Sequence, residues 1–193
     1  MSFVHLHVHS QYSLLEATPT IETLVAKAKA HQMSACALTD YGNMFGAIEF
    51  YFAAKDAGLQ ALIGMDAYVS PQGRTHKSGD KKEPLFPRLV LLAKNSEGYG
   101  ELCRLSTAGY MEGFYYKPRV DLELLSRYSE NLIALSGGLR GWVAQTYIQQ
   151  GPDQARELIL QLKKIYKERF FLQLVRLRAE PWEDAYLQFL LET

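Results

Sequence analysis

The chain alternates between short apolar runs and longer amphipathic segments, and this alternation constrains its fold more than any other feature. The short runs have the length of strands, and the longer segments repeat apolar residues at intervals of three and four, which is the helical period. The predicted strands are 3–9, 34–40, 59–70, 89–93, 132–136 and 170–175, and the predicted helices are 19–31, 44–57, 96–108, 142–149, 153–167 and the segment from 182 onward. The connections are short, apart from a surface loop predicted at 71–87. The order therefore favours a parallel α/β fold, as a barrel or an open sheet.

Polar residues mark the ends of several predicted strands. They are His7, His9, Asp40, Asp66, Arg88 and Ser136. In parallel α/β folds the functional residues gather where the strands end, at their carboxyl ends. We therefore expect these side chains to converge on one rim of the sheet.

The first predicted strand carries three of the chain's five histidines, His5, His7 and His9. Side chains alternate between the faces of a strand, so the three imidazoles would share one face. Neighbouring members of the set would be about 7 Å apart at Cα, a span that one metal or two adjacent metals can bridge. Glu16 and Asp66 can add the carboxylate oxygens of a hydrolytic centre. A hydrogen-bonded core histidine is the alternative for any one of them.

Other polar groups near this rim have two interpretations each. Asp40 can cap the following helix or hold a histidine in one tautomer. The aromatic stretch 114–119 can clamp a phosphate-bearing partner or simply pack at the rim. The glycine-rich turn at 137–141, with Arg140, can hold an anion, although its pattern is too loose for a phosphate loop.

Charge and cysteine content narrow the class of protein. The 193 residues include 21 basic and 21 acidic ones, so bulk charge gives no reason to expect a nucleic-acid or membrane partner. Cys36 and Cys103 lie in apolar or amphipathic stretches, as buried thiols do, which favours a reducing compartment and a cytoplasmic location. The start shows no signal-peptide pattern, and no apolar run approaches the roughly 18 residues of a membrane span.

Six ordered blocks of the sequence carry a family resemblance. They are FVHLHVHSQYSLLEA, ALTDYGNMFGAIEFY, LIGMDAYVS, LVLLAKNSEGYGELCRLS, GFYYKPRVD and IALSGGLRG. On these blocks the chain is identified as a member of the polymerase-and-histidinol-phosphatase (PHP) domains. KNSEGYGELCRLS and GFYYKPRVD resemble the branch found at the N-terminus of bacterial replicative DNA polymerase III alpha subunits. The resemblance covers nearly the whole chain, from residue 3.

The resemblance implies a distorted seven-stranded (β/α) barrel with up to three metals at its C-terminal mouth. In active members those metals bind phosphate oxygens and activate water for phosphoester hydrolysis. The chain stops at AYLQFLLET, within an amphipathic helical pattern. We therefore expect residues 1–193 to be one incomplete PHP domain, truncated at its C-terminal end. The last strand and helix of the barrel, and the polymerase domains, would lie beyond residue 193.

Carried over residue by residue, the resemblance assigns metal ligands to His7, His9, Glu16 and Asp66, and no role to His5. Asp66 stands where the family usually has a glutamate. Five positions depart from the family pattern. Tyr41, Arg88 and Leu177 each stand where the family usually has a histidine, Gly138 stands where it has a cysteine, and Gln173 stands where it has an acid.

These departures predict an eroded metal site without catalytic residues. An arginine in place of a ligand opposes metal binding electrostatically. Arg88 can instead pair with Asp66 or Glu16, or contact a phosphate, and we expect Asp40 to act behind the ligands. The expected cofactor is none, or one weakly bound zinc, manganese or magnesium ion.

The resulting expectation for function is a structural and docking module of a replicative polymerase. Its partners would be the rest of the polymerase subunit, a proofreading exonuclease subunit and, through the full-length protein, DNA, with no membrane. Magnesium would serve the parent polymerase. The alternative is an active metal-dependent phosphoesterase, either a 3′–5′ exonuclease or a pyrophosphatase. An amidohydrolase-type metal hydrolase is a third option, against which the polymerase-specific blocks count.

Overall fold

A computed structural model describes residues 3–77 and 86–193, so the middle of the predicted surface loop, 78–85, lies outside the described residues. The helices are α1 Ile21–Ala30, α2 Ala47–Asp56, α3 Ser96–Met111, α4 Leu122–Arg127, α5 Trp142–Gln150, α6 Pro152–Tyr166 and α7 Glu183–Leu191. The strands are β1 Ala35–Leu38, β2 Gln60–Val69, β3 Arg88–Ala93, β4 Arg119–Val120, β5 Leu132–Leu135 and β6 Phe170–Phe171. None of these described helices is both long and apolar enough to cross a membrane.

The six strands form one sheet in the order β1-β2-β3-β5-β6, with β4 paired to the end of β2. The pairs β1–β2, β2–β4 and β5–β6 are parallel, which confirms the α/β class with a sheet rich in parallel pairs. β3 is antiparallel to both of its neighbours, so the prediction of an all-parallel sheet is wrong at this strand. A parallel neighbour requires a crossover, usually through a helix. The described ends of the connection between β2 and β3 contain no helix, and the chain returns in the opposite direction.

The histidine-rich segment lies beside β1 but is not a regular strand. Ala37 and Thr39 donate backbone hydrogen bonds to the carbonyl oxygens of His5 and Val8, at 2.9 and 2.8 Å. The two donors are two residues apart and the two acceptors are three apart, so the segment contains one extra residue, as in a β-bulge. The bulge breaks the simple alternation of side chains. His5 is exposed against Phe3, whereas His7 turns into the molecule.

One face of the sheet packs against the helices in two apolar clusters, and the opposite face, which carries Asp66, buries a small third cluster of Ala37, Val90, Leu92 and Leu135. The larger cluster fills the space between β2, β3 and β5 and helices α3, α5, α6 and α7. The second one joins β1 to α1 and α2 through Ile21, Val25, Phe50 and Ala54. Within the described ranges the sheet stays open, with β6 and the histidine-rich segment on its two sides. Across this opening the side chains of His7 and Gln173 meet.

Candidate metal centre

Asp66 is the centre of the site and is fully buried on β2. It pairs with Val90 of β3 on one side and with Tyr41, just beyond β1, on the other, so the sheet fixes its position. Its Oδ2 lies 3.0 Å from His7 Nε2 and 3.4 Å from His9 Nε2. Its Oδ1 is buried without a hydrogen-bond partner in the described structure. The buried carboxylate therefore faces both imidazoles through one oxygen.

The side chains of Gln173 and Asp66 contact the two ring nitrogens of His7 and orient its imidazole. Its Nδ1 lies 3.1 Å from Gln173 Oε1, so this nitrogen donates to the amide oxygen. A neutral imidazole then presents a lone pair at Nε2, toward the Asp66 carboxylate. A metal ion between Nε2 and Oδ2 would make that contact favourable.

His9 and Arg88 pack against the two faces of Tyr41. The His9 ring stacks on the Tyr41 ring at 4.0 Å between centroids, and the Arg88 guanidinium carbon lies 4.1 Å from the centroid of the same ring. His9 Nε2 is buried and makes no hydrogen bond within the described residues. Tyr41 thus holds both side chains at the edge of the centre without supplying a ligand.

Arg88 links the centre to Glu16. Its Nε lies 3.5 Å from Asp66 Oδ2 and its Nη1 lies 3.8 Å from Glu16 Oε2. Lys117 and Arg140 approach Glu16 as well, both at 3.9 Å. All three cations are farther from Glu16 than hydrogen-bond distance. Glu16 therefore lies among cations rather than beside the two histidines.

Asp40 lies behind the centre and is almost completely buried. Its carboxylate accepts hydrogen bonds from the Ser10 backbone N–H and hydroxyl, both at 2.7 Å, and from the Ser13 hydroxyl at 2.6 Å. These contacts hold the turn that directly follows His9. Asp40 thus stabilises this turn, and these hydrogen bonds go neither to a histidine nor to the first turn of α2.

The glycine-rich turn after β5 lies next to the chain that carries Gln173. Ser136 Oγ accepts a hydrogen bond from the Gln173 backbone N–H at 2.8 Å. Gly138 has a φ of +64°, and a Cβ there would lie 3.0 Å from Val175. The turn brings no ligand side chain to the centre, and Leu177 is 66% exposed.

The electrostatic environment keeps Asp66 ionised. Burial raises the pKa of the Asp66 carboxyl, but the imidazoles of His7 and His9 and the charge of Arg88 outweigh burial and hold that pKa below its ordinary value. Burial also raises the pKa of the phenol groups of Tyr41 and Tyr68, so both keep their protons near neutral pH. The centre therefore contains one buried negative charge with cationic and neutral neighbours.

His7, His9 and Asp66 fit one divalent ion. One ligand atom from each residue lies within 4.8 Å of the others. Two imidazole nitrogens and one carboxylate are a ligand set typical of a single zinc site with an open position. Within this set, His9 Nε2 and Asp66 Oδ1 are buried without a hydrogen-bond partner among the described residues, so both are available to such an ion. Glu16 lies outside this group, and the Arg88 charge opposes an ion beside Asp66.

Several contacts of the site were not expected from the sequence. Gln173 belongs to a predicted strand but follows the end of β6, where its side chain reaches His7. Lys117 and Arg140 come from two different loops that both reach Glu16. Lys117 lies two residues before β4 and Arg140 five residues after β5, and neither position carries a sequence signal for a contact with Glu16.

The comparisons with known proteins agree with the fold. A profile of the PHP domain matches residues 5–176. The DNA polymerase III subunit alpha of Chlamydia trachomatis is 42% identical over 98% of this chain and 16% of its own length. The corresponding subunit of Treponema pallidum is 46% identical over 81% of this chain and 13% of its own length. The chain therefore spans a small part of these relatives.

Among solved structures, a protein of Bifidobacterium adolescentis assigned as a metal-dependent phosphoesterase aligns with all of this chain and 84% of its own length. The TM-score is 0.57 and the identity is 12%, so this likeness shows the fold alone. The family match covers most of the chain and begins at His5, two residues before the first histidine of the site. The chain belongs to the PHP-domain family.

Proposed function

We propose that this chain is the PHP domain of a replicative DNA polymerase subunit and that it acts as a structural and docking module without catalysis of its own. Its relatives at 42% and 46% identity are DNA polymerase III alpha subunits, which supports a place in DNA replication. The observation that carries the non-catalytic part is the position of Arg88. Its guanidinium approaches both Asp66 and Glu16, so a fixed organic cation occupies the place beside the carboxylates where a hydrolase needs a metal.

The partners follow from this assignment. The domain would contact the rest of the polymerase subunit and a proofreading exonuclease subunit, and it would meet DNA only through the full-length protein. Magnesium would be the cofactor of the polymerase reaction elsewhere in that protein. The protein would act in the cytoplasm. The balanced charge of this chain agrees with a protein-facing role, because a domain that binds DNA by itself carries an excess of basic residues.

The metal content of the purified protein tests the non-catalytic role. Protein prepared without chelator is expected to contain well below one tightly bound metal per chain, and no phosphoester hydrolysis, because Arg88 competes with the ion for Asp66. Elemental analysis and a phosphodiester assay with manganese or zinc measure both quantities. Two or three equivalents of metal, lost together with hydrolysis on His7→Ala, would show that the proposal is wrong.

A titration tests the docking role. The domain is expected to bind the purified proofreading exonuclease subunit in isothermal titration calorimetry, with a Kd that divalent metal does not change, because docking does not use the centre. Far-UV circular dichroism serves as the control that the domain is folded. A folded domain that gives no binding heat at two temperatures would contradict docking.

One observation favours the alternative of a metal-dependent phosphoesterase. His7, His9 and Asp66 still converge, and His9 Nε2 is buried without a partner, as a ligand atom would be before its ion binds. In that case the chain's own contribution would be to hold the ion with these three residues and to contact a phosphate oxygen with Arg88 or Lys117. The same metal and hydrolysis measurements separate the two functions.

A further inference from the structure

An exposed aromatic face extends along α2 and α3. Its members are Phe45, Ile48, Tyr51, Phe52, Tyr99, Tyr110, Met111 and Phe114, with exposures between 37% and 80%. Single exposed apolar residues are ordinary, but a contiguous set of this kind usually marks an interface.

Phe45, just before α2, and Tyr110 on α3 join the two helices within the aromatic face. The rings of Phe45 and Tyr110 are 6.0 Å apart between centroids, and those of Tyr110 and Phe114 are 6.2 Å apart and stacked. Toward the other end of α3, a groove of about 430 Å³ lies between Tyr51 and Tyr99. The face is therefore a surface with a depression that can receive side chains of a partner.

Helix α2 carries large apolar side chains on its outer side as well as on its buried side, next to the charged residues Glu49, Lys55 and Asp56. Ala47, Phe50 and Ala54 are buried against the sheet and α1. Ile48 and Phe52, one turn apart on the outer side, are 58% and 55% exposed. In the full-length protein, we therefore expect another molecular surface to cover the outer side of α2.

The chemistry of the face indicates which kind of partner covers it. None of its eight side chains is charged, and Lys94 at the groove is a single cation, whereas a nucleic-acid surface requires a cluster of them. Tyrosine, phenylalanine and methionine are enriched in the buried centres of protein interfaces, and permanent interfaces are the more apolar ones. The face therefore fits a permanent protein neighbour.

We propose that a further domain of the same polypeptide packs on the aromatic face. This inference rests on the proposed function, in which the chain is one domain of a polymerase subunit. The relatives that match it extend far beyond the matched region, which is 16% and 13% of their own lengths. In such a polypeptide a second domain is covalently linked to this one, so its effective concentration near α2 is high and a permanent apolar interface can form.

Hydroxyl-radical footprinting of the full-length polypeptide tests this assignment. Met111 is 80% exposed in this domain, and Leu160 on α6 is 53% exposed and outside the face, so Leu160 serves as the internal reference. Oxidation of Met111 and Phe52, relative to Leu160, is expected to be at least about fivefold slower in the full-length polypeptide than in the 193-residue chain, because an interface centre excludes water. Phe52→Asp in the full-length polypeptide is expected to restore fast oxidation of Met111, whereas Leu160→Asp leaves it slow.

Three outcomes would overturn the assignment. Fast oxidation of Met111 in the full-length polypeptide would show that the face is free. Protection that requires added exonuclease subunit would assign the face to that protein. Protection that increases with protein concentration would assign it to a second copy. The metal and hydrolysis measurements at the centre are independent of these results, so failure here is distinguishable from failure of the proposed function.

Discussion

Replacing Asp66 with asparagine is expected to lower the free energy of unfolding by about 3–5 kcal/mol, the usual cost of removing one partner from a buried charge pair. Asp66 is fully buried, and the Arg88 side chain beside it is only 7% exposed. The asparagine variant would leave the Arg88 guanidinium without its nearest carboxylate. Urea denaturation followed by circular dichroism measures the loss.

Glu16→Gln is the matched control, because Glu16 faces the same arginine. The Glu16 side chain is 31% exposed, and its three cationic neighbours are 3.8 and 3.9 Å away without hydrogen bonds. Water and salt screen such contacts, so this substitution is expected to cost less than about 1 kcal/mol. Equal losses in the two variants would contradict the central role of Asp66.

The effect of Asp66→Asn also depends on pH. The pKa of Asp66 is lower in the folded protein than in the unfolded chain. Its contribution is therefore fully present above the unfolded pKa of about 4 and is lost as the pH falls through the lower folded value. The difference in unfolding free energy between the native protein and the variant should shrink as the pH falls below about 4.

Elements with a strong local signal could be predicted from the sequence, whereas strand direction could not. Helix α6 was predicted at 153–167 and is Pro152–Tyr166, because Ala155, Leu158 and Leu162 form one buried stripe at helical spacing. β3 was also located correctly, but its antiparallel direction depends on how the long connection returns the chain. The apolar run itself is the same in either direction.

β6 shows how tertiary contacts shorten a predicted strand. The apolar pattern of 170–175 predicts six strand residues, but only Phe170 and Phe171 pair with β5. The next ladder position is taken by Gln173, whose backbone N–H bonds to the Ser136 side chain. This contact is between residues 37 positions apart, so no local pattern could predict it.

Part of the candidate metal centre could be predicted from the sequence, whereas the contacts that orient its side chains could not. In the sequence His7, His9 and Asp66 close apolar runs that predict strands, so their convergence could be expected, although Asp66 lies within β2 and the two histidines lie in an irregular segment. The bulge that turns His7 toward Asp66, and the packing of Tyr41 between His9 and Arg88, depend on contacts across the sheet. Such contacts follow from the folded packing and leave no periodic trace in the sequence.

Replacing Arg88 with methionine is expected to increase the affinity of the domain for Zn²⁺ at least about tenfold, by removing a positive charge next to the ligand set. A unit charge at about 4 Å contributes roughly 4 kcal/mol at an effective dielectric constant of 20, and screening at the open edge reduces this value. Arg88 Nε lies 3.5 Å from the Asp66 oxygen that His7 and His9 also face. Isothermal titration calorimetry at pH 7 measures the Kd of both proteins.

Arg140→Met is the matched control, because Arg140 is also cationic and approaches Glu16 but is 71% exposed. It should leave the Kd for Zn²⁺ within about twofold of the native value, since solvent screens its charge. Adding His7→Ala to Arg88→Met should abolish the gain, which places the ion at this centre. Arg88→Gln provides a second neutral variant if the methionine variant does not fold. Unchanged affinity in both neutral variants would mean that the missing ligands, rather than the Arg88 charge, limit metal binding.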